Sequence, residues 1–453
     1  MKPTRLKRLL GEVDPSREAL IGAGAGLSYE DVCKASWNGP SAARVAVGCR
    51  DLGAVARALV ALDGAVAALC AIPPQLAGDD LRAVLEQGEF DHALVDDDDA
   101  RRSAFEAGGA VCHSPDEALS KRGDGAAFDG ATEWLVPTSG TTAAPKLVVH
   151  TLESLARAAL AGRNPSAQPQ VWGMLYDLTR FAGFQVFFQA LLSGHTLVCD
   201  TPDASLGARL ERFLAARVTH LSATPTLWRK ILMAPERRDL TLKQITLGGE
   251  AADQPTLTAL AKAFPEARIT HIFASTEAGV GMAVSDGRAG FPLAYTQAEH
   301  GGVEVRIEDE RLQVRAATSA SGYAGDTPLG DADGWVDTGD LVRVEGDRFH
   351  IIGRESGVIN VGGDKVVPDH VRAVLLECPV VREAVVYAKK SSFTGALVAA
   401  DIVLHDPAMD AGEARAALKE HAASRLSATQ VPRILRFVSD IEVSSAGKAK
   451  PQS

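Results

Sequence analysis

No stretch of this chain is long and apolar enough to cross a bilayer. The longest apolar run, near Ala65 to Ile72, is far shorter than the ~20 residues a spanning helix needs. Excess positive charge is missing too: 47 Lys and Arg face 58 Asp and Glu, for a net charge of −11. That argues against nucleic acid as a bulk partner, but not against one anionic nucleotide held by a few local donors. The six cysteines (Cys33, Cys49, Cys70, Cys112, Cys199 and Cys378) contain no C-x-x-C pair. Their scatter is that of buried thiols in a reduced cytosolic protein. Met1 to Leu20 is basic but lacks the apolar core of a signal peptide, so the expectation is a soluble protein of the cytoplasm. There is no internal repeat and no low-complexity tract.

What is present is 453 residues, 46% of them apolar, enough for two to three domains with sizeable cores. From Asp51 to Asp97, helical and strand patterns alternate (Leu52 to Leu62, Ala65 to Ile72, Leu81 to Gln87, His92 to Val95). The alternation resumes after residue 150 and predicts parallel sheets with crossover helices. Two polar tips directly follow strand-like runs: Gly248-Gly249-Glu250 after Ile245–Leu247, and Ala274-Ser275-Thr276-Glu277 after Ile269–Phe273. The carboxyl ends of parallel strands are where α/β folds bind ligands. From Gly302 the texture changes to short strands alternating apolar and polar residues, as in a half-exposed antiparallel sheet. A last unit, with helices at Val367 to Glu377 and Ala411 to Arg425, reads as a small α+β domain.

The most informative stretch is Val136-Pro137-Thr138-Ser139-Gly140-Thr141-Thr142-Ala143-Ala144-Pro145-Lys146. Glycine lets main-chain N–H groups approach a ligand, hydroxyls add donors, and the lysine adds a point charge, a combination suited to polyphosphate. It is not a Walker loop, because Lys146 leads into the strand-like Leu147-Val148-Val149 rather than a helix. Read alone, the segment has a polar hairpin between two strands as its lesser alternative.

Taken together, these motifs resemble the adenylate-forming superfamily of acyl- and aryl-CoA ligases, non-ribosomal adenylation domains and luciferases. The resemblance runs from about Leu52 to Lys448 with the motifs in order. It implies an α/β fold, with a large N-terminal domain (residues 1–354) of stacked α/β subdomains plus a β-rich subdomain. A small mobile α+β domain (355–453) would carry the catalytic Lys448. By the same resemblance, Thr138, Ser139, Gly140, Thr141, Thr142 and Lys146 would hold ATP phosphates, and Glu277, with Thr142, would bind Mg²⁺. Gly249, Glu250, Phe273, Ala274, Ser275 and Thr276 would bind ATP, with the Gly248-Gly249-Glu250 loop beside adenine and Phe273 stacked on it. Asp340, in Thr338-Gly339-Asp340, and Arg354 would hold the ribose. Gly362 and Gly363 would swing in to open a path for the thiol of CoA or of a carrier protein's phosphopantetheine.

Arg180, Phe181, Phe184, Gly248 and Gly279 form the expected acid pocket. Arg180 stands where the family often has histidine, and either meets the acid or pairs at the surface. Glu250 either binds or braces. Several positions depart from the family pattern. Ala143 and Ala274 replace glycines, Ser356-Gly357 replaces an acidic hinge pair, and the segment before Gly447 lacks its usual proline and basic residues. A compact apolar slot favours a small aryl acid such as a hydroxybenzoate. The alternatives are a medium-chain fatty acid, an adenylate-former without a thioester step, and a pseudoenzyme.

Overall fold

The computed structural model describes residues 4–22, 26–119, 128–138, 145–201, 203–316, 319–325, 327–391, 394–444 and 447–451. Two large sheets dominate. The first has seven strands in the order 322–323, 147–150, 133–137, 68–71, 44–47, 92–94 and 111–113. Its middle is parallel, and its edge turns antiparallel where Glu133–Pro137 pairs with Leu147–His150. The second has eight strands in the order 279–284, 268–275, 244–247, 220–223, 171–174, 196–198, 18–21 and 27–28. A five-stranded antiparallel sheet (291–354) follows.

The central strands of the two large sheets are only three to five residues long and buried on both faces, so they read as short apolar runs. The strand Arg44–Val47, the middle of the first sheet's five parallel strands, is four residues and carries no alternation. That is why periodicity passes over it, and over Glu18–Ile21 as well. Between the two sheets lie helices Leu52–Leu62 and Phe181–Leu192. Their buried residues merge with Val45, Trp134 and Trp172 into one apolar core. Phe184, Phe187 and Phe188 are no more than 1% exposed there, and each side chain contributes roughly 1.5–3 kcal/mol by burial. Helical periodicity predicts one helix over Leu152 to Ala161; the structure has two short ones, Leu152–Leu155 and Arg157–Ala161, broken at Ala156.

Beyond Arg354 a one-turn 3₁₀ helix, Glu355–Gly357, leads into the last unit. This holds the hairpin Ile359–Val361/Asp364–Val366, helix Pro368–Leu376, a three-stranded sheet and helix Ala411–Ala423. Its apolar clusters contain no residue before Ile359, and those of the larger body contain none after Ile351. Among the described residues, the two units therefore share no apolar core. No described helix is long and apolar enough to cross a membrane.

Three histidines of the body, His150, His220 and His271, are pushed down to about 4 by burial. The unfolded chain titrates them near 6.5, so between those values it binds protons the native state refuses. The stability present above pH 6.5 is therefore lost as pH falls toward 4, each group adding a slope of up to about 1.4 kcal/mol per pH unit. Denaturant melts at pH 7.5, 6 and 5 should show this decline, and a flat profile would refute it.

Candidate active site

Parallel strands of the second sheet end along one edge, and the predicted tips emerge there. Strand 171–174 leads to Tyr176, 220–223 to Thr224, 244–247 to Gly248-Gly249-Glu250, and 268–275 to Thr276-Glu277. The first sheet brings its antiparallel hairpin to the same place. The Thr138 N–H donates to the Lys146 carbonyl at 2.8 Å, and the Lys146 N–H returns to Thr138 Oγ1 at 3.1 Å. These bonds close the base of the predicted phosphate loop. Ser139, Gly140, Thr141 and Thr142 lie outside the described residues.

Lys146 and Glu277 meet through a residue the sequence did not flag. The Lys146 ammonium sits 4.9 Å above the Tyr323 ring, whose hydroxyl donates to Glu277 Oε1 at 3.4 Å. Burial and the neighbouring Glu277 push the Tyr323 phenol up to about 12, so it remains a donor at neutral pH. His150 is a second unforeseen member. Its Nε2 donates to the Thr276 carbonyl at 2.7 Å, while Nδ1 lies 2.9 Å from Ser154 Oγ. It thereby ties the end of the Arg268–Ser275 strand to the phosphate hairpin. Ser275 caps the turn by accepting from the Ala278 N–H at 3.0 Å.

Arg180 is half-buried and makes its described contacts with the hairpin rather than at an exposed surface. It donates to the carbonyls of Pro137 and Thr138 at 3.4 and 3.0 Å, bracing the hairpin base from the start of helix Phe181–Leu192. Glu250 braces as well: one carboxylate oxygen accepts from the Thr226 N–H at 3.0 Å, and the other lies 3.9 Å from Arg372.

Two aromatic assignments need correction. Strand Arg268–Ser275 pairs irregularly between Phe273 and Ala274, and the two side chains pack into different apolar clusters. Phe273 falls on the face buried against Met282, Phe291 and Phe349, and is only 7% exposed. Its ring belongs to the apolar cluster of the five-stranded sheet rather than to an open stacking platform. Ala274, on the other face, packs against the core that holds Tyr176 and Phe181. Phe184 is 1% exposed and packs edge-on to Trp134, which makes it core rather than pocket lining. Gly248 lies beneath Tyr176, whose hydroxyl donates to its carbonyl at 3.1 Å, and a side chain there would meet Ile272 at 3.0 Å. Gly279 adjoins Arg157, which donates to the Val280 carbonyl at 2.7 Å.

On the opposite wall, Asp340 is 5% exposed. One of its oxygens accepts from Arg354 Nε at 3.2 Å, while the other is buried and has no hydrogen-bond partner. Burial raises its carboxyl above the ordinary value, against the pull of Arg354 and Lys448. Lys448 thus lies within electrostatic reach of Asp340, and also of Asp369 at the start of helix Pro368–Leu376. The tail around it is built in. Glu442–Val443 pairs with Ala449–Lys450, and the Thr224 hydroxyl donates to the Gly447 carbonyl. Gly447 has φ +76°, and a Cβ would lie 3.0 Å from Thr224 Cγ2, so glycine suits this docking point. Gly362 and Gly363, with φ of +61° and +105°, form the exposed two-residue turn of their hairpin. Tight turns with both central residues in that region favour glycine.

Comparison with known proteins defines the class. The profile of AMP-binding enzymes matches residues 40–323, and that of the AMP-binding enzyme C-terminal domain matches residues 370–448. The chain belongs to the AMP-binding enzyme family. Within it the chain is similar to 2-succinylbenzoate–CoA ligases: 27% identical over 317 residues to that of Bacillus subtilis and 30% over 260 residues to that of Salmonella typhimurium. Those matches cover 67% and 55% of this chain but 64% and 53% of the relatives, so it spans less than two thirds of their length. The fold matches an anthranilate CoA ligase in complex with anthranoyl-AMP (TM-score 0.80, 16% identity, 99% and 96% of the two chains). It also matches the Bacillus subtilis o-succinylbenzoate CoA synthetase in complex with its acyl-adenylate intermediate (0.75, 20%, 98% and 96%). The expected family and fold class are thereby borne out.

Replacing His150 with Phe removes the donor to the Thr276 carbonyl. The variant should lose about 1–3 kcal/mol in urea unfolding and become less acid-sensitive above pH 4. Unchanged stability would show that the bond does not hold the strand end.

Proposed function

We propose that the protein is an AMP-forming acid–thiol ligase, with residues 1–354 as the adenylation core and 355–453 as a moving C-terminal domain. The observation that carries this reading is Asp340, whose buried Oδ2 has no hydrogen-bond partner and whose charge is felt by Lys448, on the tail that the Thr224–Gly447 bond holds to the body. Asp340 Oδ2 suits a ribose hydroxyl, a donor that would end its isolation, and Arg354 holds the carboxylate in place.

In the first half-reaction, a carboxylate oxygen of the acid attacks the α-phosphorus of ATP. A new P–O bond forms and the bond to pyrophosphate breaks. Two anions must meet, so Lys448 would screen the α-phosphate and carboxylate, and Lys146 the departing phosphates. Glu277 fits a Mg²⁺ role: it is a half-exposed carboxylate beside the phosphate hairpin, and Mg²⁺ is commonly held by one or two carboxylates plus substrate phosphates. The ion would supply neutralisation of phosphate charge, and Tyr323 would orient the carboxylate. In the second half-reaction, a pantetheine thiol of CoA or of an acyl carrier protein attacks the carbonyl carbon. The C–S bond forms, AMP leaves and the thiol proton passes to solvent. Gly362 and Gly363 would line the thiol's path.

A small aryl acid suits the segment around Tyr176, Phe181, Gly248 and Ala274, where added bulk meets Ile272. Arg180 is close enough to the hairpin base to turn toward an acid's carboxylate.

The test is pyrophosphate release from Mg-ATP across benzoate, hydroxybenzoates, anthranilate, 2-succinylbenzoate and octanoate, with and without CoA. Release with an aryl acid, consumption of CoA, and a roughly 10²–10³-fold loss in Lys448→Ala are expected. Turnover unaffected by Lys448→Ala, or silence with every acid, would sink the reading.

A further inference from the structure

Where the last unit meets the body, four charged side chains are buried together. Arg229, on helix Pro225–Met233 of the body, reaches Glu383 of the last unit at 2.6 Å. Glu383 also pairs with Arg372 at 3.0 Å, and Arg372 lies 3.9 Å from Glu250 of the body. Arg372 donates to Thr226 Oγ1 at 2.7 Å, and Thr226 Oγ1 also accepts from Arg229 at 3.1 Å. The four side chains are between 5% and 13% exposed. At the rim, Lys230 pairs with Asp440 at 3.0 Å.

We propose that Glu383 is the catch of an ionic latch that holds the last unit against the body with Lys448 docked, and that its release frees the Gly362-Gly363 turn to approach. The second clause rests on the ligase reading above; the first stands on geometry alone.

Two features make this a latch rather than glue. The units share no apolar cluster among the described residues, so water exclusion does little to keep them together and the polar contacts carry the interface. The charges are also arranged so that parting strands none of them. Arg229 keeps Asp253 at 2.9 Å on its own side, Glu250 keeps the Thr226 N–H, and Glu383 keeps Arg372. A buried pair that loses one partner leaves an uncompensated charge and resists opening. Here each half stays paired, and opening adds mainly water. Although burial opposes ionisation, Arg229 and Arg372 hold Glu383 below the usual carboxylate range, so the latch is set at neutral pH.

Neutralising the catch leaves Arg372 only the 3.9 Å pairing with Glu250 and its bond to Thr226 across the interface. In Glu383→Gln the guanidinium groups of Arg229 and Arg372 face each other across the interface with no carboxylate between them. The full chain, without ligand, is followed by amide hydrogen exchange. The expected result is about tenfold faster exchange in segments 223–228 and 447–451, with the internal strand 398–404 unchanged. Acid-dependent pyrophosphate release should slow by a similar factor, while thioester formation from supplied acyl-AMP and CoA does not slow. Unchanged exchange at 447–451, or an equal loss in both half-reactions, overturns the latch. If the wild type releases no pyrophosphate with any acid, the ligase reading fails and the exchange comparison still decides the latch. Should Glu383→Gln exchange faster at 398–404, it has loosened the unit itself, and Asp440→Asn at the exposed rim decides instead. It should speed exchange at 447–451 by a smaller factor; no change there overturns the proposal.

Discussion

Everything at this site depends on one constraint: parallel strands in a sheet finish at the same edge. Because strands 171–174, 220–223, 244–247 and 268–275 run in a common direction, four loops far apart in sequence open onto one line. Slipping a register in any of these strands would expose buried apolar side chains, so the loops have little freedom to drift. The antiparallel hairpin of the first sheet is then held against that line by His150 and Tyr323, each joining residues on different sheets.

The two walls of the cleft differ in kind. One is part of a body packed around several large apolar clusters, and its donors and carbonyls are fixed by backbone. The other includes a tail that touches the body through hydrogen bonds and ion pairs. A rigid wall can hold a nucleotide in place, and a detachable one can exchange Lys448 for something else. Such a division suits chemistry in two steps that need different groups at the same atom.

The parts of this arrangement legible in sequence were those where one short segment carries its own meaning. Gly362-Gly363 forms a tight turn, the tips at Gly248 and Thr276 follow strand ends, and Thr338-Gly339-Asp340 lies within strand Val336–Glu345 where its pairing shifts register. The failures have a common cause. Phe273 and Phe184 are aromatic residues beside motifs, and whether such a ring faces ligand or core depends on one step of strand or helix parity. Arg180, Glu250 and Tyr323 find partners 43, 24 and 46 residues away, and Arg229 finds Glu383 at a separation of 154. No local pattern encodes pairings of that span. The short strand Arg44–Val47 escaped because both its faces are covered and alternation vanishes.

The polar character of the contact between the two units has a thermal consequence. Heat-capacity change follows apolar surface exposure, with polar surface contributing less and in the opposite sense. Parting these units hydrates guanidinium and carboxylate groups and uncovers no shared apolar core. The balance between docked and parted arrangements should therefore carry little curvature with temperature, while the folding of each unit, built on its own apolar core, keeps the usual dome. Warming would thus reach the unfolding of the body before it greatly alters how often Lys448 sits in the cleft.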